Sequence, residues 1–300
     1  MELINLQGEL FLLVAAGVLL RKFHIIPEAG KSILTDLVIY LILPCNIVNS
    51  FRMEFDLTIL KKFLVILAIS VMIQAVCMIL NQFLYRGQPT AKRRVLQYAT
   101  VCSNAGFMGN PIAEGVFGAE GLMYASIFLV PQRIVMWSAG VSYFTECPDR
   151  KTLIKKVATH PCIVAVYIGL FLLISQMPLP IFLGDTVKAV GNCTTTVSMV
   201  LIGTILAEVD PKTILNKTVV YYAAVRLVLI PFLVFAGCSL LHVDPLLTGV
   251  SVLLAGMPAG STTAILAAKY DGNYIFATKC VVFTTVLSLI TIPLWCTVLL

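Results

Sequence analysis

Apolar runs long enough to cross hydrocarbon recur along this chain, and they fix its class before any motif is read. Several stretches approach 20 residues with at most one charge. A helix rising about 1.5 Å per residue crosses a bilayer core in that length. Composition agrees with the runs: 59% of the 300 residues are hydrophobic, only 12% are charged, and mean hydropathy is +0.96. Soluble domains carry about a quarter charged residues, and a soluble fold could not hide this much apolar surface. The expected class is an all-α integral membrane protein.

Ten spans are predicted, at 4–21, 32–51, 60–84, 95–117, 121–144, 160–176, 184–207, 217–241, 245–269 and 274–299. The first is a retained helix, because a signal peptide carries its positive charge before the apolar run. Here Glu2 and Glu9 come early, and Arg21 and Lys22 follow. The connections orient the chain. Loops after the odd-numbered spans hold clusters such as Arg86, Lys92, Arg93, Arg94 and Arg150, Lys151, Lys155, Lys156, while the opposite side has only Arg52, Lys61, Lys62 and Lys188. Lys and Arg accumulate on the cytoplasmic side. Both termini are therefore expected to be extracytoplasmic, in a multi-pass protein of an inner (plasma) membrane. The net charge of +6 needs no nucleic-acid partner. A cytoplasmic face against anionic lipid of the bilayer accounts for it.

Helix breakers fall at matching places. Span four contains Ser103-Asn104-Ala105-Gly106-Phe107-Met108-Gly109-Asn110-Pro111, and span nine contains Ala255-Gly256-Met257-Pro258-Ala259-Gly260-Ser261-Thr262-Thr263. Inside a helix proline costs about 3 kcal/mol and glycine about 1 kcal/mol. An ordinary kinked helix would explain either cluster alone. Their recurrence in the fourth span of each five-span half points instead to a transporter site, since irregular backbone at membrane depth survives only when buried or lining a wet cavity. Five spans is an odd number, so the two halves would be inverted repeats. Pro44-Cys45-Asn46 in span two and Gly191-Asn192-Cys193 in span seven echo each other weakly.

A helix resuming after a break presents free N–H groups and partial positive charge, and two such ends together suit an anion. Gly109 and Asn110 mark one restart, and Gly260, Ser261 and Thr262 the other. Asn104, Asn110, Ser261, Thr262 and Thr263 add side-chain donors. A carboxylate is the expected ligand, and the alternative is a cation on the opposite, carbonyl ends. Arg133 lies roughly 18 Å into span five, where a charge is expensive, so it should face a cavity or a partner beside Gln132. It has two readings of equal weight, an anion contact or a structural pairing. Arg226 and Lys279 are expected to snorkel to the cytoplasmic surface, and Glu114 and Glu208 to be solvated near span ends. Nine scattered cysteines form no C-x-x-C pair and read as small hydrophobes. His24, His160 and His242 lie near membrane boundaries. No hydrolase, metalloprotease or P-loop motif occurs, so neither an enzyme nor a metal or other cofactor is expected.

These motifs carry a family resemblance. Asn104-Ala-Gly-Phe-Met-Gly-Asn-Pro111, Met257-Pro258-Ala-Gly260 with Ala268-Lys269-Tyr270, and the closing Thr284-Thr285-Val-Leu-Ser-Leu-Ile-Thr-Ile-Pro293 resemble the auxin efflux carrier family, whose bacterial members include malate and malonate permeases. The likeness runs nearly end to end. It implies inverted repeats at 1–144 and 160–300 joined by a cytoplasmic loop at 145–159, with broken helices four and nine crossing. It implies a dimeric scaffold domain of spans 1, 2, 6 and 7, a mobile domain of the remainder, and substrate between them. By resemblance Asn104 matches the binding-site asparagine, Gln132 a polar position in the fifth helix, and Pro111 and Pro258 the crossover prolines. Ala259 stands where plant carriers have Gln, their long cytoplasmic loop is absent, and Arg133 replaces an uncharged residue. These departures favour a small mono- or dicarboxylate, such as malate or malonate, over an aromatic auxin. The expected function is secondary transport (efflux) by alternating access. The alternatives are a sodium-coupled symporter or cation/proton antiporter, or a membrane sensor that binds without transporting.

Overall fold

A computed structural model describes residues 2–55, 57–144, 150–207, 215–270 and 272–299. These residues form helices and no β-strand, only one isolated antiparallel bridge. In chain order they are α1 (Glu2–Lys22), α2 (Glu28–Ser50), α3 (Leu57–Leu84), α4 (Thr90–Val101), α5 (Ala105–Val135), α6 (Arg150–Ala158), α7 (Pro161–Ser175), α8 (Ile181–Leu206), α9 (Lys217–Leu240), α10 (Pro245–Ala255), α11 (Thr262–Lys269) and α12 (Tyr274–Leu299). Six of them, α2, α3, α5, α8, α9 and α12, are long and apolar enough to cross a membrane. The expected ninth span is two short helices, α10 and α11, with an irregular segment between. The expected fourth ends as α4 and resumes at the start of α5. Glu208 and Cys147 lie outside the described residues.

Three helices loosen to wider π turns just before a proline. Val38–Ile42 precedes Pro44, Ala105–Gly109 precedes Pro111, and Val225–Leu229 precedes Pro231. Proline has no N–H to donate, and its ring crowds the carbonyl four residues back. A π turn absorbs this by spreading the local bonds over one extra residue. Alpha-helical geometry in α5 is interrupted at Gly118, with φ 68° and ψ −163°. That backbone is open to glycine alone, and it falls between the sequence boundaries of spans four and five.

Packing follows small residues. α1 lies along Thr194–Leu206 of α8. A Cβ on Gly203 would sit 2.1 Å from the Val14 carbonyl oxygen, and one on Gly17 would sit 2.1 Å from that of Val200. Such mutual approach lets backbones touch where lipid gives no hydrophobic drive for association. Leu43–Ser50 packs on α7 and on Ile181–Gly191, while α3 packs on Asn110–Val135 and α10 packs on that segment and on α9. Asp244 caps α10, its Oδ1 accepting from the N–H groups of Leu246 and Leu247, and its Oδ2 lies 3.0 Å from Lys62 Nζ.

The two breaks meet. Ser103 and Ala259 form the isolated bridge. The Asn104 N–H donates to the Pro258 carbonyl at 2.8 Å, and the Gly260 N–H donates to the Cys102 carbonyl at 3.0 Å. The Ala259 N–H donates to Thr284 Oγ1 of α12 at 3.1 Å. The irregular segments thus satisfy each other in a two-strand contact one residue pair long.

Two outcomes are expected. Gly203→Val overpacks the α1–α8 contact and should cost about 1–3 kcal/mol, read as a lower melting temperature of the detergent-purified protein. Thr284→Val keeps the side chain's shape but orphans the buried Ala259 N–H, costing about 1–3 kcal/mol. Thr284→Ser should melt like the parent. Equal melting of the Val and Ser variants would remove Thr284 from the crossing.

Candidate functional site

Each break leaves a helix end of each sign, and the structure treats the two signs differently. At the carbonyl ends, the last groups of α4 are taken one by one. The Ala99 carbonyl accepts from the Tyr222 hydroxyl at 2.9 Å, and the Thr100 carbonyl accepts from Arg226 Nη1 at 3.0 Å. Ser103's carbonyl accepts from Gln132 Nε2 at 2.9 Å. Arg226 Nε also donates to the Met257 carbonyl just beyond α10, at 2.9 Å. One guanidinium therefore joins the carbonyl ends of both interrupted helices. Arg226 is 3% exposed, so the expected snorkelling is wrong. The π turn Val225–Leu229 carries Arg226 within it, and the side chain is held against the crossing instead of reaching for the cytoplasmic surface.

The N–H ends face a cavity. The first turn after the break begins at Asn104, whose carbonyl accepts from the Met108 N–H at 3.0 Å. The N–H groups of Ala105, Gly106 and Phe107 precede that first bond and have no partner within the turn. Ser261 is the N-cap residue at the start of α11, and its carbonyl accepts from the Ala264 N–H at 3.1 Å. Asn104 and Ser261 line one cavity of about 490 Å³. Phe107, Leu201, Ile202, Ile205, Ala264, Ile265 and Val281 make its apolar wall. Glu28, Lys31, Ser32 and Thr35 from the start of α2, with Tyr274 and Thr278 from α12, make its polar rim. Asn104 is 7% exposed as a residue, and its side-chain amide has no hydrogen-bond partner among the described residues. An amide at a cavity wall pairs with whatever fills the cavity, water or ligand. A second cavity of about 240 Å³, between α3 and α9, is lined by aliphatic side chains and the sulfurs of Met72, Cys77 and Cys238. It offers nothing to orient a polar ligand.

The other candidate residues lie around the crossing but off that cavity. Gly109 is packed against α10, where a Cβ would come within 2.6 Å of Leu254 Cδ2. A Cβ on Gly260 would come within 3.1 Å of the Cys102 carbonyl oxygen. Asn110 is 1% exposed, and its Oδ1 has no partner among the described residues. Pro111 is the second residue of the Asn110–Val135 segment, and Pro258 supplies the carbonyl for Asn104. Thr262 opens α11 and is half-buried, while the Thr263 hydroxyl is fully buried without a partner among the described residues. Gln132 is committed to Ser103, which returns a longer bond from its hydroxyl to Gln132 Oε1 at 3.4 Å. Arg133 is half-buried, with Nη1 2.9 Å from His160 Nε2, while Nδ1 of the same ring faces the Cys162 N–H at 3.3 Å; a neutral imidazole has one acceptor nitrogen, so it can accept only one of the two. Glu114 is not solvated as expected: its Oε2 accepts from Asn46 Nδ2 at 2.8 Å, joining the mid-helix segment of α2 to α5. Lys279 is half-buried.

Sequence reasoning misses Arg226. The available signal is Pro231, five residues on, whose π turn alters which face Arg226 presents.

The chain has clear relatives. The profile of a family described as membrane transport protein matches residues 8–154 and 149–296. An uncharacterized transporter of Methanothermobacter thermautotrophicus is 26% identical, over 96% of this chain and 95% of its own length. Another, of Methanocaldococcus jannaschii, is 23% identical over 95% and 94%. With that profile covering both halves of the sequence, the chain belongs to the auxin efflux carrier family of membrane transporters and is not an enzyme.

Proposed function

We propose that this chain is a secondary transporter that exports a small organic anion by alternating access, with the carboxylate held by Asn104 and the two helix N-termini. The observation that carries this reading is the Asn104 amide, without a protein partner among the described residues, at the wall of a 490 Å³ cavity, beside the start of the Ala105–Gly109 turn and the start of α11. Positive helix ends and a side-chain amide suit a carboxylate. Arg226 already occupies carbonyls at both breaks. That favours an anion at the free ends over sodium at the carbonyl ends.

The apolar wall refines the substrate. Gln132 bonds to Ser103, Arg133 lies against His160, and neither lines the cavity. Phe107, Leu201 and Ile205 suit the apolar body of a small mono- or dicarboxylate, with Lys31, Ser32 and Thr35 at the polar rim. The ten-span inverted repeat is part of this reading. Its support is the meeting of the fourth and ninth breaks and the packing of α1 on α8 and of α2 on α7 and α8. These helices would be the scaffold, dimeric in the membrane, and the remainder the moving body. With the termini extracytoplasmic, the cavity rim at Lys31 is cytoplasmic and the conformation is inward-facing, in an inner (plasma) membrane.

The test is a melting screen of the purified protein against short-chain and aromatic monocarboxylates, malate, malonate and sodium. A ligand at about 100 times its dissociation constant should stabilise the folded protein by about 2.7 kcal/mol. Asn104→Ala should abolish that shift while melting normally without ligand, and the same compound should then show saturable flux in proteoliposomes. A shift of full size in Asn104→Ala would refute the site. Binding without flux would leave a sensor, and a shift with sodium alone would refute the anion reading.

A further inference from the structure

Arg226 is a buried cation with no carboxylate partner among the described residues, and that demands an electrostatic account. Nε and Nη1 donate to the Met257 and Thr100 carbonyls. Tyr85 and Tyr222, themselves bonded to Thr100 Oγ1 and the Ala99 carbonyl, stand alongside. Lys62 pairs with Glu120 and Asp244, and no described carboxylate lies within ion-pair distance of Arg226. Burying a lone ion in a medium of low dielectric is normally prohibitive.

The balancing charge comes from the helices. A helix C-terminus carries roughly half a negative charge, concentrated on its unpaired carbonyls. α4 and α10 end at the crossing within reach of the same guanidinium, so about two half-charges face one positive charge. Transporters with discontinuous helices commonly fill such carbonyl ends with a bound sodium ion or proton. Here a side chain from a third helix does it. The shape of the guanidinium suits this role. A planar fork with donors aimed in two directions can bridge carbonyls on two segments, as a lysine ammonium on a flexible stem cannot do with equal order.

We infer that Arg226 is the tethered counter-cation of the helix crossing, a positioning residue that fixes both carbonyl ends and removes any need for a bound metal cation there. The opposite, N–H ends stay oriented toward the cavity because the ends behind them are clamped. The crossing therefore carries its own charge balance in every state of the transport cycle, and substrate affinity and folded stability are independent of sodium.

The experiment uses the full chain in detergent and reads thermal melting, with no substrate required. Failure to find a carboxylate ligand therefore leaves this inference standing, and its own failure leaves the anion site standing. Wild type should melt at the same temperature in sodium chloride and in choline chloride of equal ionic strength. Arg226→Ala should melt several degrees lower in choline. It should recover in part with sodium, and more with millimolar guanidinium, a free copy of the missing group, while tetramethylammonium, which has no N–H, restores nothing. Arg226→Lys should lie between the two, and it serves if the Ala variant fails to fold, again with guanidinium as the added cation. Sodium-dependent melting of wild type would overturn the proposal. So would an Ala variant as stable as wild type, or variants that recover equally with every cation or with none.

Discussion

The crossing of two broken helices is the constraint on which the other features rest. In hydrocarbon each unpaired backbone group costs several kcal/mol, so a helix cannot simply stop there. The chain meets the cost with a one-pair antiparallel contact, Ser103 against Ala259, and then with side chains recruited from three other segments. Thr284 accepts the Ala259 N–H, Gln132 donates to Ser103, and Arg226 donates to Thr100 and Met257. Each of these side chains comes from a different helix, so the crossing is also the point where α5, α9 and α12 are tied to α4 and α10. Losing one of them would be felt by the whole group.

Proline connects that local accounting to the longer geometry. Pro44, Pro111 and Pro231 each follow a π turn at the same offset. The extra residue in a π turn shifts the helical face by about one residue's rotation, near 100° for a 3.6-residue turn. In α9 that turn contains Arg226. In α5 it forms the restart of the broken helix, where the tight contact of Gly109 with Leu254 requires a residue without a side chain.

Much of this is visible in the sequence because the deciding signals are local. Apolar run length gives the membrane class, and paired Gly and Pro clusters give the breaks. Asn104 stands out by lying inside one of them. Arg226 is misread for a physical reason: counting residues from the end of a span gives depth but not rotation, and a π turn changes rotation without changing composition. Glu114 is misread similarly, since its partner Asn46 is 68 positions away. The Gly17–Gly203 contact is also out of reach, because only the folded packing shows which glycines face each other. Arg133 shows the limit in another form. Its depth requires a partner, and His160, at the start of a different helix, is not marked as one by spacing or periodicity.

The asymmetry between the two kinds of helix end is what gives the site a direction. Carbonyl ends met by a fixed guanidinium are electrically finished, and their geometry is set before any ligand arrives. The N–H ends and the Asn104 amide are unfinished, and they sit at the cavity wall between α2 and α8 on one side and α11 and α12 on the other. In the proposed function an anion fills the unfinished half and replaces water on those groups, so its binding energy is the surplus of the new bonds over the displaced ones. The cavity lies at the junction of helices from the two packing groups, so under the proposed function the bond that recognises the anion would also link the two bodies. Alternating access, as proposed, requires that ligand contacts there differ between the two arrangements, because only a difference in interaction free energy drives a population from one to the other.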